Sequence, residues 1–428
     1  MRTIVLLRTT AMLFAAVGLG TLPAVAVDFS YSGFGTLGYA KSDRPYAYQR
    51  FITDRGTLMR DSLIGVQVDA RLDPQIGATL QWKAQPSLSN DHGYDATLAW
   101  AFVSYRPTND WLFRAGKLRV PLYLYSENTD IGATFDFARL PAEMYSISPT
   151  TDLVGVSFRK NWSLSAGELS LDGFWGKTKL DIRFYGRDDL GPARPAGAIF
   201  VPIDLSANGF ALTLRRNNDS FRFGFNHAVA KRADGGQISR YFPFVSLAPG
   251  VGYYQFQGPD VPTTGSTSNT AIALGAEVGV GAGVRVIGEY ARRIIHDSKV
   301  GPDGAGGYVS LLKRVGRWTP YLTYAYLLSS SGPRNIYNAV NDNRVPAFIP
   351  GAAAINASQR AGADGIPAFD QRSVALGTSY SFNATSKIKA EFQRTHNGQM
   401  SYMVDAPAGS DIRNQNVNVY SLSYSFEF

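Results

Sequence analysis

Apolar and polar residues alternate in steps of two along most of the chain. At its end, Tyr420, Leu422, Tyr424, Phe426 and Phe428 alternate with Ser421, Ser423, Ser425 and Glu427. Side chains of a strand point to opposite faces in turn, so this pattern predicts a strand with one oily side and one wet side. The same period recurs at 64–72, 76–83, 154–159, 210–215, 221–226, 272–278, 374–380 and 388–393. Each run is close to the length of a tilted strand that crosses a bilayer, about 9–11 residues.

The connections alternate too. Short ones at 72–75, 106–110, 161–167, 216–220, 281–283, 315–318 and 383–386 carry Gly, Pro, Asn and Asp, the residues of tight turns. Long ones, rich in Gly, Pro, Ser and charge, are expected at 40–59, 84–94, 118–151, 178–202, 232–268, 296–305, 329–368 and 397–412. Seven turns and eight loops join about sixteen strands, with the turns at one end and the loops at the other. The expected fold is all-β: a transmembrane antiparallel up-and-down barrel whose last strand closes on the first, near residues 28–39, because hydrocarbon leaves no backbone donor unpaired at an edge.

The wet face carries Lys83, Arg114, Arg159, Arg215, Arg222, Arg285, Glu289 and Glu391, which do not make a packed core. A barrel of this size is too wide for side chains to fill, so the expected content is water. Trp82, Trp100, Trp111, Trp162, Trp175 and Trp318 fall near strand ends, where rings bridge lipid and water.

Composition adds a compartment. Arg2 and Arg8 precede an apolar stretch and the small-x-small sequence Ala24-Val25-Ala26, the pattern of a signal peptide at 1–26, leaving 27–428 as one barrel domain. Cysteine is absent, which excludes disulfides and thiolate metal sites. The formal charge of +8 falls to +6 without the two leader arginines; this mild excess suits an anion-attracting lumen or contact with anionic lipid, and nucleic acid is a poor partner for an exported chain.

One long loop, 117–151, is more apolar and acidic than the rest. It holds Glu127, Asp130, Asp136 and Glu143, with Arg139 among them, beside Leu122, Tyr123, Leu124, Tyr125, Phe135, Phe137 and Met144. Folding inward would bury its apolar groups and bring its carboxylates into the channel. With this loop, the strand count, the leader and the terminal Phe428, the chain resembles the general diffusion porins of Gram-negative outer membranes. The resemblance implies an outer-membrane barrel, usually a homotrimer, passing small hydrophilic solutes and ions passively. It implies a third loop that narrows the pore, its acidic groups facing basic groups across the lumen in a transverse field. On that analogy the constriction comprises Glu127, Asp130, Asp136 and Arg139 with Arg60, Lys83 and Arg114. Phe428 is implied as the signal read by the barrel-insertion machinery, and lipid and lipopolysaccharide as partners. The outward face near Ser32, Phe34 and Thr36 is expected to suit subunit packing.

No catalytic residue, cofactor or metal is expected. His92, His227, His296 and His396 lack Ser or Asp partners at motif spacing, and the acidic clusters near Asp181 and Asn341 read as solvated loop groups. A substrate-specific channel is the closest alternative; a barrel enzyme and a structural or adhesive barrel are more distant ones. Both signs of charge, with a basic majority on the strands, predict a weakly selective pore with any bias toward anions.

Overall fold

The computed structural model describes residues 27–148, 152–191 and 195–428; the expected signal peptide lies outside the described residues. Sixteen antiparallel strands close into a barrel. In chain order they are β1 (Asp28–Ser42), β2 (Leu63–Arg71), β3 (Ile76–Pro86), β4 (Tyr94–Thr108), β5 (Trp111–Arg119), β6 (Asp152–Leu164), β7 (Gly167–Gly186) and β8 (Gly197–Arg216). They continue as β9 (Asp219–Arg232), β10 (Thr267–Gly281), β11 (Val284–Ile295), β12 (Gly304–Lys313), β13 (Trp318–Ser329), β14 (Phe369–Ser381), β15 (Ser386–Ser401) and β16 (Gln415–Glu427).

Closure runs between the chain's two ends. One part of β1 pairs with β16, from Phe34 opposite Glu427 to Ser42 opposite Val419; an overlapping part pairs with β2, from Asp28 opposite Arg71 to Thr36 opposite Leu63. Reciprocal 2.9 Å backbone hydrogen bonds between Gly33 and Phe428 carry the seam to the last residue. The rings of Phe426 and Phe428 lie over Gly35 and Gly33, where a Cβ would collide with them. The oily side of the last strand therefore faces out, covering a groove that only glycine leaves open.

The outward faces form a continuous apolar belt. Leu37, Ile64, Val66, Leu80, Val103, Val154, Val156, Leu274, Val309, Leu311, Leu322, Leu376 and Leu422 are all exposed. So much exposed hydrocarbon is untenable in water and is what a lipid-facing surface requires. Trp82, Trp162, Trp175 and Trp318 belong to this exposed surface.

Four expectations are corrected. Ser32, Phe34 and Thr36 do not make an outward packing face: Thr36 Oγ1 lies 2.9 Å from buried Ser425 Oγ, and Phe34 is only 4% exposed. The outward residues of that stretch are Tyr31, Gly33, Gly35, Leu37 and Tyr39. Trp100 turns away from the belt, with the Arg119 guanidinium over its ring, because the bulge at Ala99 inverts the alternation. The loop expected at 178–202 is mostly ladder: β7 and β8 stay paired from Thr178 opposite Leu205 to Gly186 opposite Gly197. Finally, the inward face is not polar throughout, as described below.

The long connections have structure of their own. The segment 330–368 contains helices α1 (Ser331–Asp342) and α2 (Ala352–Asp364), which bury Tyr337, Val340, Ala363 and Ile366 together with Met400. The connection before β10 contains two small ladders, and Ala47–Tyr48 pairs with Val404–Asp405.

Candidate functional site

The site is the lumen, and the chain that crosses it is the segment after β5. This segment leaves the wall at Val120 and Pro121, and Pro121 accepts a 2.6 Å hydrogen bond from Arg222 on β9. The Leu124 N–H donates to Glu289 on β11, which also accepts from the hydroxyls of Tyr145 and of Tyr308 on β12. Further on, the Ala138 N–H donates to the Tyr321 hydroxyl on β13, and Lys389 on β15 donates to the carbonyls of Gly132 and Phe137 at 2.6 and 3.0 Å. Strands β13 to β15 stand about half the circumference away from β5 and β6.

The apolar residues of the segment explain its place. Leu122, Tyr123, Phe135, Phe137, Leu140, Met144 and Ile147 form a buried cluster with Tyr308, Tyr321, Ala325 and Leu327 of the wall. Phe137 meets the rings of both Tyr308 and Tyr321 edge-on. Burial of this surface is what holds the chain against the strands.

The charged candidates join as direct ion pairs. Asp130 accepts from Lys83 at 2.8 Å and from Arg119 at 2.6 Å. Glu127 faces Arg159 at 3.1 Å and Arg114 at 3.7 Å. Asp136 binds Ser379, Lys387 and Arg285, none of them among the expected partners. Arg139 forms a two-pronged pair with Asp61, while Arg60 lies 3.9 Å from Asp61 and donates to Gln49. Most of these charges thus meet a partner of opposite sign within 4 Å. The partners that sequence reasoning did not assign to the site are Asp61, Arg119, Arg159, Arg285, Lys387 and Lys389. The last two carried a signal: they alternate with Ile388 and Ala390 on a run already read as half wet.

These pairs set the ionisation of the crossing segment. Burial alone would raise the Asp130 carboxyl, but Arg119 and Lys83 outweigh it and hold it well below the usual carboxylate range. Asp61 is treated likewise by burial and Arg139, and Asp136 by burial and Lys387. Glu143 is the exception: burial raises it, and hydrogen bonds from Ser373 and Gln371 offset this only in part.

Two cavities flank the segment. One, of about 490 Å³, is polar and is lined by Arg60, Asp61, Asp130, Arg139, Lys389 and Gln49 among others. The other, of about 610 Å³, lies against the inward faces of β6 to β11. Most of its wall is apolar, with Leu180, Ile182, Phe184, Val201, Ile203, Leu205 and Ala228, and Asp152, Asp181, Asn226, Asn269 and Arg293 also line it. Ser146, Arg183, Tyr402 and Met403 border both.

No catalytic constellation is assembled by the histidines among the described residues. His296 lies 3.3 Å from Thr270 Oγ1 and His396 lies 3.1 Å from Asn416 Oδ1. Among the described residues no group of three His, Asp or Glu side chains converges as a metal site.

No protein-family model matches the chain, and no curated protein matches it in sequence. Solved structures do match in fold. An outer membrane protein of Vibrio cholerae, OmpT with its loop L8 deleted, aligns with a TM-score of 0.53 at 10% identity, over 94% of this chain and 100% of the other. The anion-selective porin from Comamonas acidovorans aligns with a TM-score of 0.51 at 11% identity, over 94% and 100%. The outer membrane channel DcaP of Acinetobacter baumannii aligns with a TM-score of 0.51 at 12% identity, over 96% and 99%. The fold is that of the outer-membrane porins, and a closed barrel with an apolar belt fits an outer-membrane location.

Proposed function

We propose that this protein is a passive outer-membrane channel for small hydrophilic solutes and ions, narrowed by the segment 120–148. The observation that carries the proposal is the polar chamber of about 490 Å³ between that segment and the wall, lined with charges of both signs inside a belt of exposed hydrocarbon. Lys83, Asp130 and Arg119 fix one end of the segment. Arg139 and Asp61 fix its middle, with Arg60 beside them; Asp136 anchors it to β11 and β15; Glu127 with Arg114 and Arg159 holds its first turn. Paired charges of this kind keep the passage hydrated and shaped, and they disfavour apolar solutes, which must displace that ordered water to pass.

Most carboxylates of the passage are matched by a cation, while Arg222 spends its charge on the Pro121 carbonyl and the Thr213 hydroxyl. The net field therefore favours anions. Channel action, rather than catalysis, is the reading for the whole chain, with a homotrimer as its assembly, lipopolysaccharide around its loops and Phe428 as the insertion signal.

Purified protein in planar bilayers tests this. Discrete conductance steps, with a reversal potential in a KCl gradient shifted modestly toward the chloride potential, are the expected result. Absence of steps would refute the channel, and strong cation selectivity would refute the anion bias.

A further inference from the structure

The hairpin of β7 and β8 does not stop at the lipid belt. Past Trp175 its outward positions become Lys177 and Lys179, so the strands have left hydrocarbon. It then reaches the opposite wall. Arg183 makes two-pronged pairs with Asp405, at 2.6 and 2.9 Å, and with Asp91, at 2.7 and 3.0 Å. Arg187 binds Asp364 at 3.0 Å and the Ser410 carbonyl at 3.1 Å, and the Tyr402 hydroxyl donates to the Arg183 carbonyl. Asp405 and Ser410 belong to the connection between β15 and β16, half the circumference from β7. The hairpin is a roof across the mouth, and the apolar cavity lies between it and the crossing segment.

A packed interior leaves few voids larger than a water molecule. Here about 610 Å³ stands open, within the usual size of a small-molecule site, with Ile182, Phe184, Ile203 and Phe369 around it. The aliphatic and aromatic side chains outweigh the polar ones such as Asn226, Gln237 and Asn269, so the chamber offers a plain water column few hydrogen bonds for its size. Among the described residues three cations line it, and two of them are committed: Arg183 to Asp91 and Asp405, and Arg232 to Asp234. Arg293 of β11 lines the cavity, and among the described residues its hydrogen bonds go to the carbonyls of Pro302 and Ile147. Its neighbour Arg292 holds Asp303 at 2.7 Å. A guanidinium whose partners are neutral carbonyls, at the edge of an apolar chamber, has charge left for an anion.

We propose that this chamber binds an organic carboxylate with an apolar body, such as an aryl-alkanoate, its carboxylate on Arg293 and its ring or chain against Ile182, Phe184 and Ile203. The chamber rests on the channel reading, being the first compartment that such a solute meets beneath the loops. It makes the pore selective at the mouth for a class of solute that the charged passage alone would slow.

The test is fluorine NMR of 4-(4-fluorophenyl)butanoate with the intact barrel in nanodiscs, using empty nanodiscs to subtract partition into lipid. Saturable line broadening is expected, displaced by 4-phenylbutanoate but not by succinate or by 4-phenylbutan-1-ol at equal concentration. Arg293→Gln should weaken binding about tenfold, the scale of one charge-assisted hydrogen bond. Because Arg293 also touches the crossing segment, Ile182→Asn, in the hairpin beyond the lipid belt, is the second variant and should weaken binding by a similar factor. Non-saturable broadening, equal displacement by succinate, or unchanged affinity in both variants would overturn the proposal. Binding is read without current, so a barrel that binds but does not conduct would sink the channel reading alone, and one that conducts but does not bind would sink this one alone.

Discussion

The two cavities of the lumen share four lining residues and little of their chemistry. The polar one is ringed by cations and carboxylates paired with each other, with Phe51, Leu63, Phe135 and Leu140 among them; the other is walled mainly by aliphatic and aromatic side chains, with Asp181, Asn226 and Asn269 among them, and is roofed by a hairpin. Both walls belong to inward-facing positions of the same barrel. The difference teaches that a strand's inner face takes its character from what lies across from it. Where the crossing segment brings carboxylates, the wall supplies Lys and Arg. Where the hairpin closes over the mouth, the wall is freed from bulk water and can be oily.

The sharpest way to break the polar side is Arg139→Ala. It leaves Asp61 buried with its main partner gone, a loss of about 3–5 kcal/mol for a buried pair. The expected outcome is a lower temperature of conversion from folded to unfolded barrel on denaturing gels, together with noisier open-channel current. The double variant Arg139→Ala with Asp61→Ala should recover part of the loss, since no charge is then stranded. Recovery in neither readout would mean that the apolar cluster alone holds the segment in place.

Asp130→Asn is the next largest. Lys83 and Arg119 lose their common counter-charge while the fold keeps its hydrogen-bonding shape. Anion selectivity should rise, read as a further shift of the reversal potential toward chloride, with unit conductance little changed. A shift toward cations would refute the assignment of Asp130 to the conducting wall.

How much of this contrast was legible beforehand follows from what constrains each part. Lipid admits only paired, alternating strands, so strand positions, the seven turns and the closing seam could be read from the period alone. Two inversions were invisible. A bulge at Ala99 flips Trp100 inward, and no residue type announces a bulge of that kind. Around Ser32, Phe34 and Thr36 both faces mix small and aromatic residues, so the direction is settled only by where Phe426 and Phe428 need room. The hairpin was mistaken for a loop because Lys177, Lys179, Asp181 and Arg183 interrupt its apolar positions. Those charges mark strands that have left the membrane, and the alternation of Leu180, Ile182 and Phe184 was intact between them. The charges of the crossing segment were visible as charges, but their charged partners lie as far along the chain as Lys387, 251 residues from Asp136, which no local spacing encodes.

On the roofed side, Arg183→Ala should have a smaller effect. It removes the hairpin's pairs to Asp91 and Asp405; Asp91 is partly wetted and keeps Arg50, and burial already raises the Asp405 carboxyl so that the stranded group can take up a proton, which holds the cost under that of Arg139→Ala. The hairpin should swing more freely, giving faster current flicker and quicker proteolysis near residues 187–191, while ion selectivity stays as it was. A changed selectivity would mean that the roof, and not the charged passage, sets it.

The smallest expected effect is of pH, and it separates the two sides by sign. Asp61, Asp130 and Asp136 have carboxyls depressed by their cations, so their pairs contribute fully above the ordinary carboxylate value of about 3.9 and are lost only as pH falls through the lower folded values. Between pH 8 and 5 these three pairs should stay intact and keep the segment in place. On the roof, burial raises Asp405 despite Arg183, so the folded state takes up that proton more readily than the unfolded chain does. As pH falls through its raised value the Arg183 pair weakens ahead of the pairs of Asp61, Asp130 and Asp136. Acidification should therefore quicken flicker of the roof before it alters reversal potential. The reverse order in a pH series from 7 to 3 would mean that the passage is the softer of the two, against the burial and pairing seen in both.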